Sequence, residues 1–293
     1  MVSVIKRKKG KRYYYYLYHD SKRGGKRIQK EAYIGTEIPS DIEERKSSFA
    51  IKIEREYWIP QLERIRLNFK KELESMPETI QEKNMTAFAI KFTYNTQRIE
   101  GSTLTFRDTA LLLGDGITPS NRPNRDVKET EAHQKIFMEI MRQKPDLSLS
   151  TVMKWHRKMF EQTKPGIAGM LRNYDVRIYG SKSIPPSYSS VSLLLKGFFK
   201  WYNANKKMLN PAELAALVHL KFVTIHPFGD GNGRTSRLMM NGVLSRFDYP
   251  PLDIEYSDRH SYYTALERSQ TNNELPFLQW FMKRYVKAHE RYL

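Results

Sequence analysis

The sequence predicts a mainly helical protein with a small β module at its N-terminus. Three observations carry that prediction. From about residue 41 onward, apolar residues recur at helical spacing in one segment after another, punctuated by Pro, Gly, Ser and Asn. Residues 12–19, Arg-Tyr-Tyr-Tyr-Tyr-Leu-Tyr-His, are instead dense in strand-favouring aromatics. A loop from His226 to Arg237 joins two apolar helical runs and holds most of the candidate chemistry.

Bulk properties bound the rest. A chain of 293 residues can form one large domain or two modest ones with an ample core. Hydrophobic residues make up 40%, too many for a disordered chain. No run of about 18 apolar residues is present to span a membrane, and the N-terminus lacks an apolar core of signal-peptide type. There is no cysteine, which excludes disulfides and thiolate zinc sites. The expectation is a cytoplasmic protein with no membrane partner. The net charge is +18, and its distribution is uneven. Residues 1–30 hold eleven Lys or Arg against one acid, Asp20, so +10 sits in the first tenth of the chain.

The elements follow in order. Residues 12–19 lead to Gly24-Gly25, a turn signal, and residues 26–34 resume an extended pattern. This reads as a β-hairpin or small meander, with residues 2–8 as a further strand. Its cations interleaved with tyrosines suit nucleic acid, through phosphate pairing and stacking. The plainer reading, a small sheet with solvated charges, is the one favoured. Pro39-Ser40-Asp41 is a turn and N-cap signal. Residues 41–75 then read as helix, which Pro60 is expected to break or kink. Residues 78–100 form a second helix, with Pro77 at its start and Gly101 as its cap. Thr105 opens a third within 102–112. Helices near 126–143 and 148–164 come next, and His156 on the latter reads as structural. Residues 165–188 are non-helical, and Val176, Ile178 and Ile184 around Gly180-Ser181 suggest a short hairpin. Helices near 189–204 and 211–226 lead into the loop, and helices near 258–270 and 274–292 complete a bundle.

The loop itself reads as a phosphate site with a base. Gly231 and Gly233 let successive N–H groups point into one concavity, and the helix that follows adds its free N–H groups and positive dipole end. Arg234 and Arg237 are forked cations suited to phosphate oxygens, and the Asn232 side chain can donate to another. Asp230 is the natural ligand for a Mg²⁺ that bridges phosphates. His226 is the one residue here whose ordinary pKa suits proton abstraction near neutral pH. Together they suggest transfer of a phosphate-containing group to a hydroxyl. The plainer alternative, a glycine-rich connection with a core histidine, leaves every polar residue as coincidence.

Residues 226–237 match His-x-Phe-x-Asp/Glu-Gly-Asn-Gly-Arg-x-x-Arg at every specified position, and so resemble the Fic family. The resemblance implies a Fic-type helical bundle with a short β-hairpin flap, and nucleotidyl transfer, usually of AMP from Mg·ATP to a hydroxyl of a protein. His226 would be the catalytic base, Asp230 the Mg²⁺ ligand, and Gly231, Asn232, Gly233, Arg234 and Arg237 the nucleotide contacts. Thr96 to Gly101 matches the family's inhibitory motif, Ser/Thr-x-x-x-Glu-Gly/Asn, and lies N-terminal to the core. That resembles the class with an N-terminal inhibitory helix, in which Glu100 would pair with Arg237 in place of the γ-phosphate. Gly169 to Arg172 and the hairpin with Val176, Ile178 and Ile184 resemble the flap that receives a target segment by strand addition. Tyr263 and Gln270 fall where relatives line the nucleobase pocket, though relatives often carry Asn at the second position. Packing explains Tyr262 and Tyr263 equally well. The implied domains are a β module over 1–38, helices over 39–84 and a Fic domain over 85–293, its inhibitory helix at about 78–100.

Alternatives stay open at this point. The same site suits removal of AMP, with Glu100 orienting a water, or use of another nucleotide donor. A kinase-like branch typically has Lys where this chain has Gly233, which argues against γ-phosphoryl transfer. A regulator that binds nucleic acid through the basic N-terminus is the reading from a different class. Self-modification and a homodimer are also compatible with the sequence.

Overall fold

In the computed structural model, residues 2–23, 26–178, 183–269 and 273–293 are described. Gly24-Gly25, Gly180-Ser181 and Gln270, all singled out from the sequence, lie outside the described residues. The chain divides into two compact units, residues 1–62 and 63–293.

The N-terminal unit opens with an antiparallel meander of β1 (Val2–Lys9), β2 (Arg12–Arg23) and β3 (Lys26–Gly35), in that spatial order. The further strand expected over residues 2–8 is therefore present. Gly10 takes φ +62 in the β1–β2 turn, a conformation that costs glycine least. Ile5 lies opposite Tyr16, and Val4 opposite Leu17. An irregularity between Tyr15 and Tyr16 shifts the β2–β3 register by one residue. Helix α1 (Ile42–Ser75) follows and runs through Pro60 without a break, contrary to expectation. The proline removes one N–H partner of the Glu56 carbonyl. Glu56 and Pro60 are both exposed, so water can take the missing donor's place.

The larger unit is helical. Its elements are α2 (Glu78–Ile99), α3 (Phe106–Asp115), α4 (Asn124–Gln143), α5 (Leu149–Phe160), α6 (Tyr188–Asn205), α7 (Pro211–Ile225), α8 (Asn232–Arg246), α9 (Arg259–Ser269) and α10 (Leu275–Ala288). Among the described residues no helix is long and apolar enough to cross a membrane. Local chemistry explains the ends. Thr105 and Asp108 form a reciprocal capping box at the start of α3. Ser148 caps α5 through the Thr151 N–H. Asn210 caps α7, with Pro211 at its first position.

α7 and α8 pack against each other at the centre of this unit. Leu214, Val218, Phe222, Leu238, Met240 and Leu244 are all fully buried. Each such side chain contributes roughly 1.5–3 kcal/mol of burial free energy. α4 and α5 pack on α8, while α6 and α10 pack on α7. α2 lies along α4 and reaches α8 at its C-terminal end, where Thr93 and Thr96 are buried. The loop between α7 and α8 is thus held by the best-packed part of the molecule. Residues 183–187 and those before 179 in the expected flap belong to no strand, and the hairpin's turn falls outside the described residues.

Candidate active site

α7 ends because His226 takes a left-handed conformation, φ 52 and ψ 57. The turn directs its side chain back onto α7, where Nδ1 lies 3.1 Å from the Val223 carbonyl. A carbonyl only accepts, so Nδ1 carries the proton and Nε2 is left as the lone-pair nitrogen. Burial lowers the His226 pKa from 6.5, against the Val223 hydrogen bond and the Glu100 charge, which raise it. The imidazole is therefore neutral near pH 7, the form a base requires.

The loop is shaped from beneath by aromatic packing. Phe228 is fully buried and stacks on His156, with ring centroids 3.7 Å apart. His156 Nε2 donates to the Asp230 carbonyl at 3.0 Å, while its Nδ1 accepts from the Gly169 N–H at 2.9 Å. Burial pushes His156 down to about 4, so it stays neutral. The structural role read for it from sequence is the role it has. Gly231 has φ +77, and a Cβ there would lie 2.4 Å from the Phe160 ring. Only glycine satisfies both the turn and the contact.

α8 then starts at Asn232, with no side chain capping its first N–H groups. N–H groups at such a helix start are of the kind an anion cradle would use. Asn232 does not contribute in the way expected. Its amide accepts from the Phe228 N–H at 2.9 Å and donates to the Phe228 carbonyl at 2.8 Å, and it is buried. The side chain fixes the loop, which leaves its backbone N–H as the group able to meet a phosphate.

The two arginines also divide their work. Arg234 is buried and pairs with the Glu129 carboxylate, with Gln97 Oε1 at 3.2 Å and with Asp230 Oδ1 at 3.1 Å. Its guanidinium is committed to protein groups, so it orients Asp230 in place of the phosphate contact assigned to it from sequence. Arg237 is committed to α2. Its Nε donates to Thr96 Oγ1 at 3.0 Å, and its Nη2 donates to the Thr96 carbonyl at 3.3 Å and to Glu100 Oε1 at 2.6 Å. Glu100 caps the end of α2, and Gly101 behind it takes φ +92. The carboxylate lies directly over α8, because a Cβ on Gly233 would meet Glu100 Oε1 at 2.3 Å. An anion of the chain itself therefore occupies the start of α8.

Asp230 is the remaining charged group. Burial would raise its pKa, but Arg234 and Lys164 outweigh that and bring it down to about 2. Lys164 was missed from sequence. Its Nζ lies 2.5 Å from Asp230 Oδ2 and 3.1 Å from Glu129 Oε1. Among the described residues no group of three or more His, Asp or Glu side chains is arranged for a metal. A Mg²⁺ bound chiefly by substrate phosphates needs only one or two carboxylates, so an ionised Asp230 fits one. Lys164 would compete with it for Oδ2. Lys164→Gln is expected to tighten Mg·ATP binding by about fivefold, since so exposed a pair contributes only ~1 kcal/mol. Titration calorimetry in a Glu100→Gly background would measure this, and equal affinities would remove Lys164 from the metal's site.

Two further expectations are placed. Tyr262 is buried and packs, its hydroxyl 3.0 Å from His219 Nε2 and 3.4 Å from Arg237 Nη1. Tyr263 is half exposed and donates to the Ile99 carbonyl at 3.2 Å, beside Glu100. On the flap side, Arg172 is buried and donates to the His226 carbonyl at 2.8 Å and to the Tyr174 carbonyl at 3.1 Å. It ties the segment expected to be a flap to the His226–Arg237 loop. Val176 and Ile178 are half-buried and alternate with exposed neighbours, while Ile184 is exposed.

The helical fold and the His226–Arg237 loop define a Fic-domain protein, and residues 146–244 match the model of the Fic/DOC family. Among curated proteins the chain is similar to protein adenylyltransferase Fic of Drosophila melanogaster, 33% identical over 204 residues, covering 68% of this chain and 41% of that protein. It is likewise similar to protein adenylyltransferase Fic of Nematostella vectensis, 29% identical over 205 residues, covering 68% of this chain and 48% of that one. The chain thus spans less than half the length of these relatives. Among solved structures, a Fic domain containing signaling protein from Bacteroides thetaiotaomicron aligns with a TM-score of 0.70 at 27% identity, covering 79% of this chain and 95% of that one. Fic-1 from C. elegans shares the fold, with a TM-score of 0.72 at 24% identity, covering 86% and 75%.

Proposed function

We propose that this chain transfers AMP from Mg·ATP to a Ser, Thr or Tyr hydroxyl of a protein, and that Glu100 restrains it. The observation that carries the reading is a neutral histidine, with its proton fixed on Nδ1, in the same loop as an uncapped helix start. His226 Nε2 takes the proton of the target hydroxyl. The hydroxyl oxygen attacks the α-phosphorus, a new P–O bond forms, and the bond to the β-phosphate breaks with inversion. Pyrophosphate leaves with the electron pair. The N–H groups of Asn232 and Gly233 would face the phosphate charge, as an oxyanion site would, while the Gly231 N–H already donates to Asp230 Oδ1. Asp230 would hold a Mg²⁺, which would supply neutralisation of phosphate charge. Arg237 takes the γ-phosphate once Glu100 has moved, and Tyr263 is then free to meet the nucleobase. The target lies along the extended segment with Val176 and Ile178, where backbone pairing would accept varied sequences.

Gly233 supports AMP transfer over γ-phosphoryl transfer. A lysine there would collide with Glu100 in this state. The direct check is mass spectrometry of the incubated protein and of cell lysate for hydroxyl residues heavier by one AMP. Gain of a phosphate alone would point to the other transfer.

The base sets a pH dependence. His226 acts only when neutral, and burial lowers its pKa below 6.5. The neutral form fills as pH rises through that lowered value. Thus kcat/KM should fall on the acid side, below pH 6.5, and stay level from there to pH 8. A rate that keeps rising to pH 8 would show that some other group is the base.

A further inference from the structure

We propose that the tyrosine face of the N-terminal sheet binds single-stranded nucleic acid, a task separate from the nucleotidyl transfer read above. In an antiparallel sheet, directly opposed residues share a face. One face carries Val2, Val4, Leu17 and Ala32, with Leu17 and His19 buried. The other carries Tyr14, Tyr16 and Tyr33. Tyr33 packs against both partners, with ring centroids 6.2 Å from Tyr14 and 5.4 Å from Tyr16, yet it is 56% exposed. The three rings form one tilted cluster in which Tyr33 is the exposed member and Tyr14 and Tyr16 are half-buried. Arg7 lies over the Tyr16 ring at 5.2 Å. At the end of the same face Lys9 stands opposite Arg12, with Lys11 in the turn between them, and all three are exposed.

Stacking surface and cations therefore adjoin along one face. The acids on this face are already used, since Asp20 pairs with Arg27 and Glu31 with Arg7. What remains is a cationic edge beside the exposed Tyr33 ring and its half-buried neighbour Tyr14. A polyanion whose bases are unpaired satisfies both at once, its phosphates on Lys9, Lys11 and Arg12 and its bases on the tyrosines. A duplex hides its base faces and would leave the rings unused.

The test is fluorescence anisotropy of the full chain with labelled oligothymidylate and oligouridylate of about 20 nucleotides. Three engaged cations imply that affinity falls about 20-fold between 50 and 200 mM salt. Tyr33→Ala, at an exposed site, should weaken single-strand binding about tenfold, while Tyr33→Phe keeps it. Lys9→Gln with Lys11→Gln and Arg12→Gln should flatten the salt dependence. Circular dichroism confirms that each variant is folded, and a misfolded Tyr33→Ala leaves the charge variant to decide. The proposal is overturned if no single strand binds, or if a duplex or phosphatidylserine vesicles bind more tightly. It is also overturned if folded Tyr33→Ala binds like the parent.

Discussion

Replacing Glu100 with glycine is expected to raise AMP transfer by about 100-fold, the scale at which misplacing a reacting group is felt. The cause is positional. Glu100 Oε1 lies 2.6 Å from Arg237 Nη2 and close over Gly233, so a fixed carboxylate fills the place where an anionic ligand would sit. On the proposed reading, ATP would have to displace it or bind with its α-phosphate turned from the line of attack. Glycine removes the carboxylate and leaves Arg237 with Thr96 and the Tyr262 hydroxyl. It also leaves a buried cation without its partner, which costs stability. The variant should therefore melt at a lower temperature, and ATP should raise its Tm more than it does for the parent, because a ligand stabilises the state it binds. The check is the initial rate of labelled AMP incorporation beside thermal melts with and without ATP. An unchanged rate in a variant that binds ATP more tightly would remove the inhibitory role.

His226→Ala is expected to reduce transfer by about 10²–10⁴-fold, the range for loss of a positioned base. The fold should survive. The imidazole rests on the Val223 carbonyl through Nδ1, and the loop is held independently by Asn232 on Phe228 and by His156 on Asp230. His226 already holds the left-handed conformation with a Cβ, so alanine there adds little backbone strain. Nucleotide affinity should stay near that of the parent, because the phosphate donors lie on α8 and Arg237. Full labelling by a folded His226→Ala would end the assignment of His226 as base.

Much of this was legible in the sequence, for identifiable reasons. Helices from α2 onward were readable because their apolar positions repeat and, for α3, because Thr105 stands at its start. The positions of His226, Gly231 and Gly233 were readable because local spacing alone dictates the turn. Contacts set by packing were not. Lys164 reaches Asp230, 66 residues away in sequence, and Glu129 joins the same cluster from α4, with no periodic signal to mark either. Asn232 and Arg234 looked like phosphate ligands by type. Only the fold turns the first back onto Phe228 and buries the second against Glu129. Pro60 misled for the opposite reason, since propensity alone says nothing of water's access to the Glu56 carbonyl.

The central claim is tested most directly by following the donor label. Parent, Glu100→Gly, and Glu100→Gly with His226→Ala would each be incubated with lysate and ATP labelled at the α- or the γ-phosphate. The account predicts protein labelling from the α-position only, strong in Glu100→Gly, weak in the parent and lost in the double variant. Labelling from the γ-position, or α-labelling that survives loss of His226, would contradict it.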